Sequence, residues 1–292
     1  MEGLVCKDIY KSYGKKEVLS NVNLTLEKGK IYGLIGRNGV GKTTLLSILS
    51  AQGFDTKGEV TLDDEKVKKK KKVIDRICFS RELESSRGMK MTNSANFKIK
   101  NYLELGAIYF PNWDDRMAQK LLEEFDLKQN VHISKLSKGM LSMVTIIIAL
   151  ASKAEYTFLD EPVAGLDVIM RELFYKLLLE EYEKTGRTFV ISTHIIEEAS
   201  DIFEEVIIIK DKEILLKENT QDLIERSFRI SGRKEDVDAV TRGLKVYQVE
   251  ENGRGKGATV LLEKGQKINE SYDINVQSLS LQKIFIDLCE KV

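Results

Sequence analysis

Residues 30–44 read KIYGLIGRNGVGKTT, and the fold turns on how they are read. The first half is a short apolar run closed by glycine, the pattern of a buried parallel strand. The second half satisfies G-x-x-x-x-G-K-[ST] through Gly36, Gly41, Lys42 and Thr43. A helical pattern, KTTLLSILS, follows at once. Strand, glycine loop and helix in that order predict a phosphate-binding loop. Glycines let backbone N–H groups curl inward at phosphate oxygens, and the helix start adds its positive dipole end. The candidate contacts are Gly36, Arg37, Asn38, Gly39, Val40, Gly41, Lys42, Thr43 and Thr44. Lys42 is expected to neutralise the β- and γ-phosphates, and the Thr43 hydroxyl to ligate Mg²⁺.

Downstream stretches supply the other half of such a site. In EYTFLDEP an apolar strand ends in Asp160 and Glu161. A buried strand there delivers Asp160 to the Mg²⁺ of a bound nucleotide. Glu161 lies where ligands bind in open α/β sheets and is placed to accept a proton from the attacking water. In ISTHIIEEA, His194 also follows a strand, so it is the candidate partner of the γ-phosphate and of the water–Glu161 geometry. His132 has no such context and receives no role.

Composition narrows the classes. The 292 residues suit one large domain or a domain with an appendage. Lysine plus arginine balance aspartate plus glutamate at 46 each, so no nucleic-acid partner is expected from net charge. Cys6, Cys78 and Cys289 lie far apart with no metal spacing, which reads as reduced thiols in a cytosolic protein. The N-terminal residues lack a signal-peptide core, and runs such as TIIIALA are too short to span a bilayer. Any membrane role must come through a partner.

Strand-like runs LVCKDIY, VLSNVNLTL and KIYGLIG come early, and GEVTLDD reads as an edge strand. The basic run KVKKKKK, residues 66–72, reads first as a solvated face and second as contact with anionic lipid or an acidic partner. A helical block spans about 83–155. In it Met117, Leu121, Leu122 and Phe125 recur at helical spacing behind the capping candidates Asn112 and Asp114. The α/β alternation then resumes through TFVIST and VIIIKDKEILLK. It implies a mainly parallel core sheet covered on both faces. After about 226 short strands surround the helix KEDVDAVTRG and precede SLQKIFIDLCE. They predict a main domain over 1–225 and a small α+β appendage over 226–292. Since every nucleotide motif precedes it, truncation near 225 is expected to leave a folded nucleotide-binding unit.

One stretch remains, LSKGM at 136–140. Alone it reads as a helix start capped by Ser137. Phosphate loop, LSKGM, LDEP, GLD and STH occur in that order, and this order resembles the nucleotide-binding domains of ABC-type ATPases over residues 1–220. The family pentapeptide is usually LSGGQ. Leu136, Ser137 and Gly139 match it, while Lys138 and Met140 depart.

The resemblance implies an α/β P-loop fold with a parallel core sheet, an antiparallel β subdomain and an inserted helical subdomain. It implies that Ser137 and Gly139 bind the γ-phosphate of an ATP held by an opposing subunit, and that Tyr13 stacks on adenine. Ala164, Gly165, Leu166 and Asp167 match the loop linking the two sites across the dimer. Glu82 falls where the family usually has a glutamine that reaches Mg²⁺ or its water, and the extra charge puts that role in doubt. Residues 83–113, including YFPNW, would face the membrane partner, although their aromatics read equally well as core.

The resemblance further implies a cytoplasmic ATPase subunit on the inner face of the membrane. It would pair as a homodimer or heterodimer and drive a separate multi-spanning permease. LSKGM, PNWDD and the short tail look most like exporter ATPases of Gram-positive multidrug, peptide-export and antimicrobial-peptide immunity systems. The rival is a non-transport ABC-type ATP switch acting on a soluble assembly. Translation-associated switches usually carry two such domains per chain, and chromosome-repair proteins need a long coiled coil, for which no heptads occur here.

Overall fold

The computed structural model describes residues 3–83, 97–269 and 271–290, without the side chain of Lys69. Its centre is a six-stranded sheet in which apolar side chains alternate between two faces, the period that a strand buried on both sides requires.

The chain opens with strands β1 (Leu4–Tyr13) and β2 (Lys16–Leu26). Strand β3 (Ile31–Gly36) and helix α1 (Lys42–Leu49) flank the glycine loop. Next come β4 (Lys57–Leu62), the two-residue β5 (Glu65–Lys66), one helical turn α2 (Lys71–Ile74) and β6 (Ile77–Ser80). Helices α3 (Ile99–Tyr109), α4 (Asp115–Glu124) and α5 (Lys138–Ala151) form the inserted block. Strand β7 (Tyr156–Asp160), helix α6 (Val168–Thr185), strand β8 (Thr188–Ser192), the short α7 (Ile196–Ala199), β9 (Glu205–Lys210), β10 (Glu213–Asn219) and α8 (Thr220–Glu225) restore the alternation. The remainder is β11 (Ser227–Arg233), α9 (Lys234–Thr241), β12 (Lys245–Asn252), β13 (Gly255–Leu261), β14 (Ile274–Ser278) and α10 (Leu281–Cys289).

The central sheet runs β10-β9-β3-β8-β7-β6, parallel except for the β9–β10 hairpin. Tyr32, Leu34, Tyr156, Phe158 and Val190 face a core shared with α1 and the antiparallel sheet β2-β1-β4-β5. Ile31, Ile35, Leu159, Phe189 and Ile191 face the other core, against α5, α6 and the inserted block. GEVTLDD, expected at an edge, is instead flanked by β1 and the short β5.

In the basic run Lys66, Lys68, Lys70 and Lys71 pair with Glu59, Asp55, Glu65 and Asp75, so near acids offset much of its charge. Of the two capping candidates Asp114 caps α4, accepting from Met117 N at 3.0 Å. The aromatics of YFPNW divide: Phe110 and Trp113 pack on the core, while Tyr109 is exposed.

The tail departs from its expected boundary. Strands β12-β13-β11-β14 form a separate antiparallel sheet whose own small core holds Ile230, Val237, Val240, Ala258 and Val260. The last helix does not stay with it. Leu281, Ile284 and Leu288 of α10 lie in the main core with Ile196, Ala199 and Ile202. An amphipathic helix settles where its apolar face is covered, and here the main domain covers it. Truncation near 225 therefore removes part of the main core.

Candidate active site

Strands β3, β8 and β7 are neighbours, and their carboxyl ends converge: Leu34 pairs with Ser192, and Ser192 with Asp160. Such a meeting point of loops is where open α/β sheets bind ligands. The glycine loop leaves β3 there. Gly39 and Gly41 have φ of 79° and 116°, values that side chains rarely adopt, and a Cβ on Gly41 would come within 2.8 Å of Leu19.

Lys42 is buried in the first turn of α1, and its Nζ donates to the Gly36 carbonyl at 2.7 Å. Burial holds the pKa of its ammonium below the usual lysine value, while Glu161 and Asp160 oppose that shift. A desolvated cation at the bottom of a glycine cradle is a strong anion receptor.

The Thr43 hydroxyl donates to Asp160 Oδ2 at 2.6 Å, and the Ser192 hydroxyl donates to the other Asp160 oxygen. Thr43 and Asp160 thus present two hard oxygens side by side, which fits Mg²⁺ held by few protein ligands plus phosphate oxygens and water. Glu161 follows with φ of 50°, left-handed for a non-glycine residue, which costs on the order of 1–2 kcal/mol. Its N–H donates to the Ser192 carbonyl at 3.0 Å, which helps hold the turn. The carboxylate reaches His194 Nδ1 at 2.6 Å through Oε2 and lies 4.0 Å from Lys42 Nζ through Oε1. A cleft of about 350 Å³ is lined by Asn38, Gly39, Gly41, Lys42, Thr43, Thr44, Asp160 and Glu161, with Val18.

The remaining expected residues lie elsewhere. Tyr13 ends β1 with its ring exposed and Lys11 Nζ 4.5 Å from its centroid. Ser137 caps α5, accepting from Met140 N at 3.2 Å, and neither it nor Gly139 lines the cleft of its own chain. Gly139 lies against Gly165: a Cβ on Gly139 would meet the Gly165 carbonyl oxygen at 2.5 Å. The Ser142 hydroxyl also donates to the Ala164 carbonyl at 2.7 Å. The start of α5 and the loop 164–167 are thereby docked on one another.

Glu82, expected at the metal, pairs with Lys138 Nζ at 3.2 Å on the exposed surface. Opposite charge on the neighbouring helix start draws it there. Sequence reasoning missed Ser192, which bonds both acidic residues; its place at the end of a strand beside β7 was the available signal.

A glycine cradle with a buried lysine, the paired oxygens of Thr43 and Asp160 and a histidine-bound carboxylate fit a nucleotide-hydrolysing site. The family model described as "ABC transporter" matches residues 19–164. The petrobactin import ATP-binding protein YclP of Bacillus subtilis is 31% identical over 76% of this chain and 88% of its own. The lantibiotic transport ATP-binding protein SrtF of Streptococcus pyogenes is 28% identical over 79% of this chain and 100% of its own. The dimeric ATP-binding cassette MJ0796, solved in a post-hydrolysis state with ADP and Pi, superposes with a TM-score of 0.63 at 25% identity, covering 74% of this chain and 98% of that one. The chain belongs to the ATP-binding subunits of ABC transporters, and it is an ATPase of that fold. Subunits of this family dimerise and work with a membrane permease.

Proposed function

We propose that two such subunits close head to tail around two ATP molecules and drive a separate multi-spanning permease, which exports peptides, drugs or other amphipathic substrates. The observation that carries the catalytic part is the 2.6 Å contact between His194 and Glu161 beside Lys42 and the Thr43–Asp160 pair. Glu161 takes the proton of the attacking water, and His194 fixes the orientation of that carboxylate. Lys42 and the loop N–H groups hold the phosphates. Thr43 and Asp160 would hold Mg²⁺, which offsets charge between the phosphates when bound. Ser137 and Gly139 serve the ATP of the opposing subunit, and Tyr13 stacks on adenine.

Surface apolar groups support the partnerships. Leu105, Ile108 and Tyr109 are exposed along one face of α3, at the spacing of a helix stripe that another protein covers. Val168 and Ile169, just past loop 164–167, are exposed where the opposing subunit would sit. Among the described residues no helix is long and apolar enough to cross a membrane. In this reading the subunit works from the cytoplasmic face through its permease. The names of the relatives point both ways, to lantibiotic transport and to petrobactin import. The export reading rests on LSKGM and PNWDD.

The test mixes Lys42→Ala with Ser137→Arg protein. Each homodimer carries two damaged sites, whereas a mixed dimer carries one intact composite site. Mixing should restore ATPase activity. Tagged chains that also carry Glu161→Gln should pair in ATP better as mixed dimers than as either homodimer. Absence of both effects rejects the shared site.

A further inference from the structure

We infer that α10 is a strut that holds the loop carrying His194, with Phe285 and Gln282 as its positioning residues; this rests on the role of His194 given above. Apart from α10, the loop is held by the His194–Glu161 contact at 2.6 Å and by Arg171 of α6, whose Nε lies 2.8 Å from Glu198 Oε2. His194 is 56% exposed in its side chain. Helix α7 behind it has four residues, too few to be stable without tertiary support.

Helix α10 supplies that support at three points. Leu281, Ile284 and Leu288 pack in the same core as Ile196, Ala199 and Ile202. Gln282 Nε2 donates to Glu197 Oε1 of α7 at 3.1 Å. Phe285, half-buried, lines a cavity of about 360 Å³ with Thr193, His194, Ile196, Arg37 and Asn38. One aromatic ring therefore borders both the phosphate loop and the histidine loop. The same ring also packs against the main core, so it joins that core to the polar rim.

A flank of α10 is tied to the appendage, and its C-terminal end to the main sheet. Asp287, 1% exposed, accepts from the Thr259 hydroxyl of β13 at 2.5 Å and from Lys283 Nζ at 2.7 Å. The Leu288 carbonyl accepts from Lys210 Nζ of β9 at 2.7 Å. A buried carboxylate is costly unless partnered, so Asp287 fixes the helix to the appendage sheet. The chain of contact runs from that sheet through α10 to His194.

The experiment compares Phe285→Ala, Phe285→Tyr, Gln282→Ala and His194→Ala in the full-length chain. Steady-state ATPase kinetics and Tm are measured for each. A displaced catalytic group costs roughly ten- to hundredfold in turnover when its shift approaches 1 Å. Phe285→Ala should therefore lose at least about tenfold in kcat with KM for ATP nearly unchanged, and Phe285→Tyr should recover most of it. Gln282→Ala, which removes no core group, should also lower kcat at wild-type Tm. The inference is overturned if Gln282→Ala keeps full kcat and Phe285→Ala either keeps it too or raises KM as much as it lowers kcat. Normal turnover in His194→Ala would instead overturn the role of the histidine itself.

Discussion

Gly139→Ala sets two effects against each other. Gly139 lies in the first turn of α5, where alanine is the better helix former by about 0.8–1 kcal/mol. On propensity alone the substitution stabilises. The contact with the loop acts the other way. A Cβ at Gly139 would sit 2.5 Å from the Gly165 oxygen, whereas real Cβ atoms essentially never approach closer than 3.0 Å. The obstacle is backbone and cannot rotate aside, so the helix start and the loop must part by about half an ångström. Overpacking of this kind costs about 1–3 kcal/mol. The net is a loss of up to about 2 kcal/mol, or a few degrees in Tm for a chain of this size. Turnover should fall further, because the displaced groups are those proposed to serve the opposing subunit. Urea denaturation followed by circular dichroism, beside an ATPase assay, reads both. A variant at least as stable as wild type with unchanged turnover refutes the close approach.

Lys42→Ala should weaken ATP binding itself, and calorimetry showing wild-type affinity would remove the phosphate loop from the site. Glu82→Gln should leave the Mg²⁺ dependence of turnover unchanged, since Glu82 faces Lys138; a shifted Mg²⁺ titration would put it back at the metal. Truncation after residue 225 removes Leu281, Ile284 and Leu288 from the main core, at about 1.5–3 kcal/mol each. That approaches a typical domain's whole stability, so the product should be insoluble or show a much lower Tm, and a normal melting curve would show that α10 is dispensable. Acid should destabilise the protein in a defined window. Although burial pushes their carboxyls up, Arg76, Lys28 and the Gly3 N–H hold Asp63 down to about 2, and Lys217 and Tyr32 hold Glu27 down to about 2. Their ordinary values are 3.8 and 4.5, so their stabilisation is full above about pH 4.5 and is lost as pH falls toward 2. Urea midpoints at stepped pH check this, and Asp63→Asn should flatten the curve.

Most of the site was legible in the sequence because its groups hang on strand ends. Lys42 and Thr43 follow β3, Asp160 and Glu161 end β7, and His194 follows β8; apolar runs mark such strands without any knowledge of their neighbours. What the sequence left hidden depends on which strands and helices lie side by side. Ser192 became a partner of Asp160 only once β8 was set beside β7. The destination of α10 was equally hidden, since an amphipathic pattern says that one face is covered but not by what. Glu82 was placed at the metal by counting along the chain, which gave no sign of the lysine on another element that it pairs with.

The Glu82–Lys138 pair bears on how such a chain changes over generations. Glutamine and glycine, usual at the matching positions of the family, carry no charge. Here an acid and a base occupy them together, and each offsets the charge of the other. Both side chains are more than half exposed, and such a pair contributes little to stability, about 0–1 kcal/mol. Its value lies in neutrality. Either residue alone would leave an uncompensated charge next to the start of α5, so a substitution at one position alters the charge there unless the other changes with it.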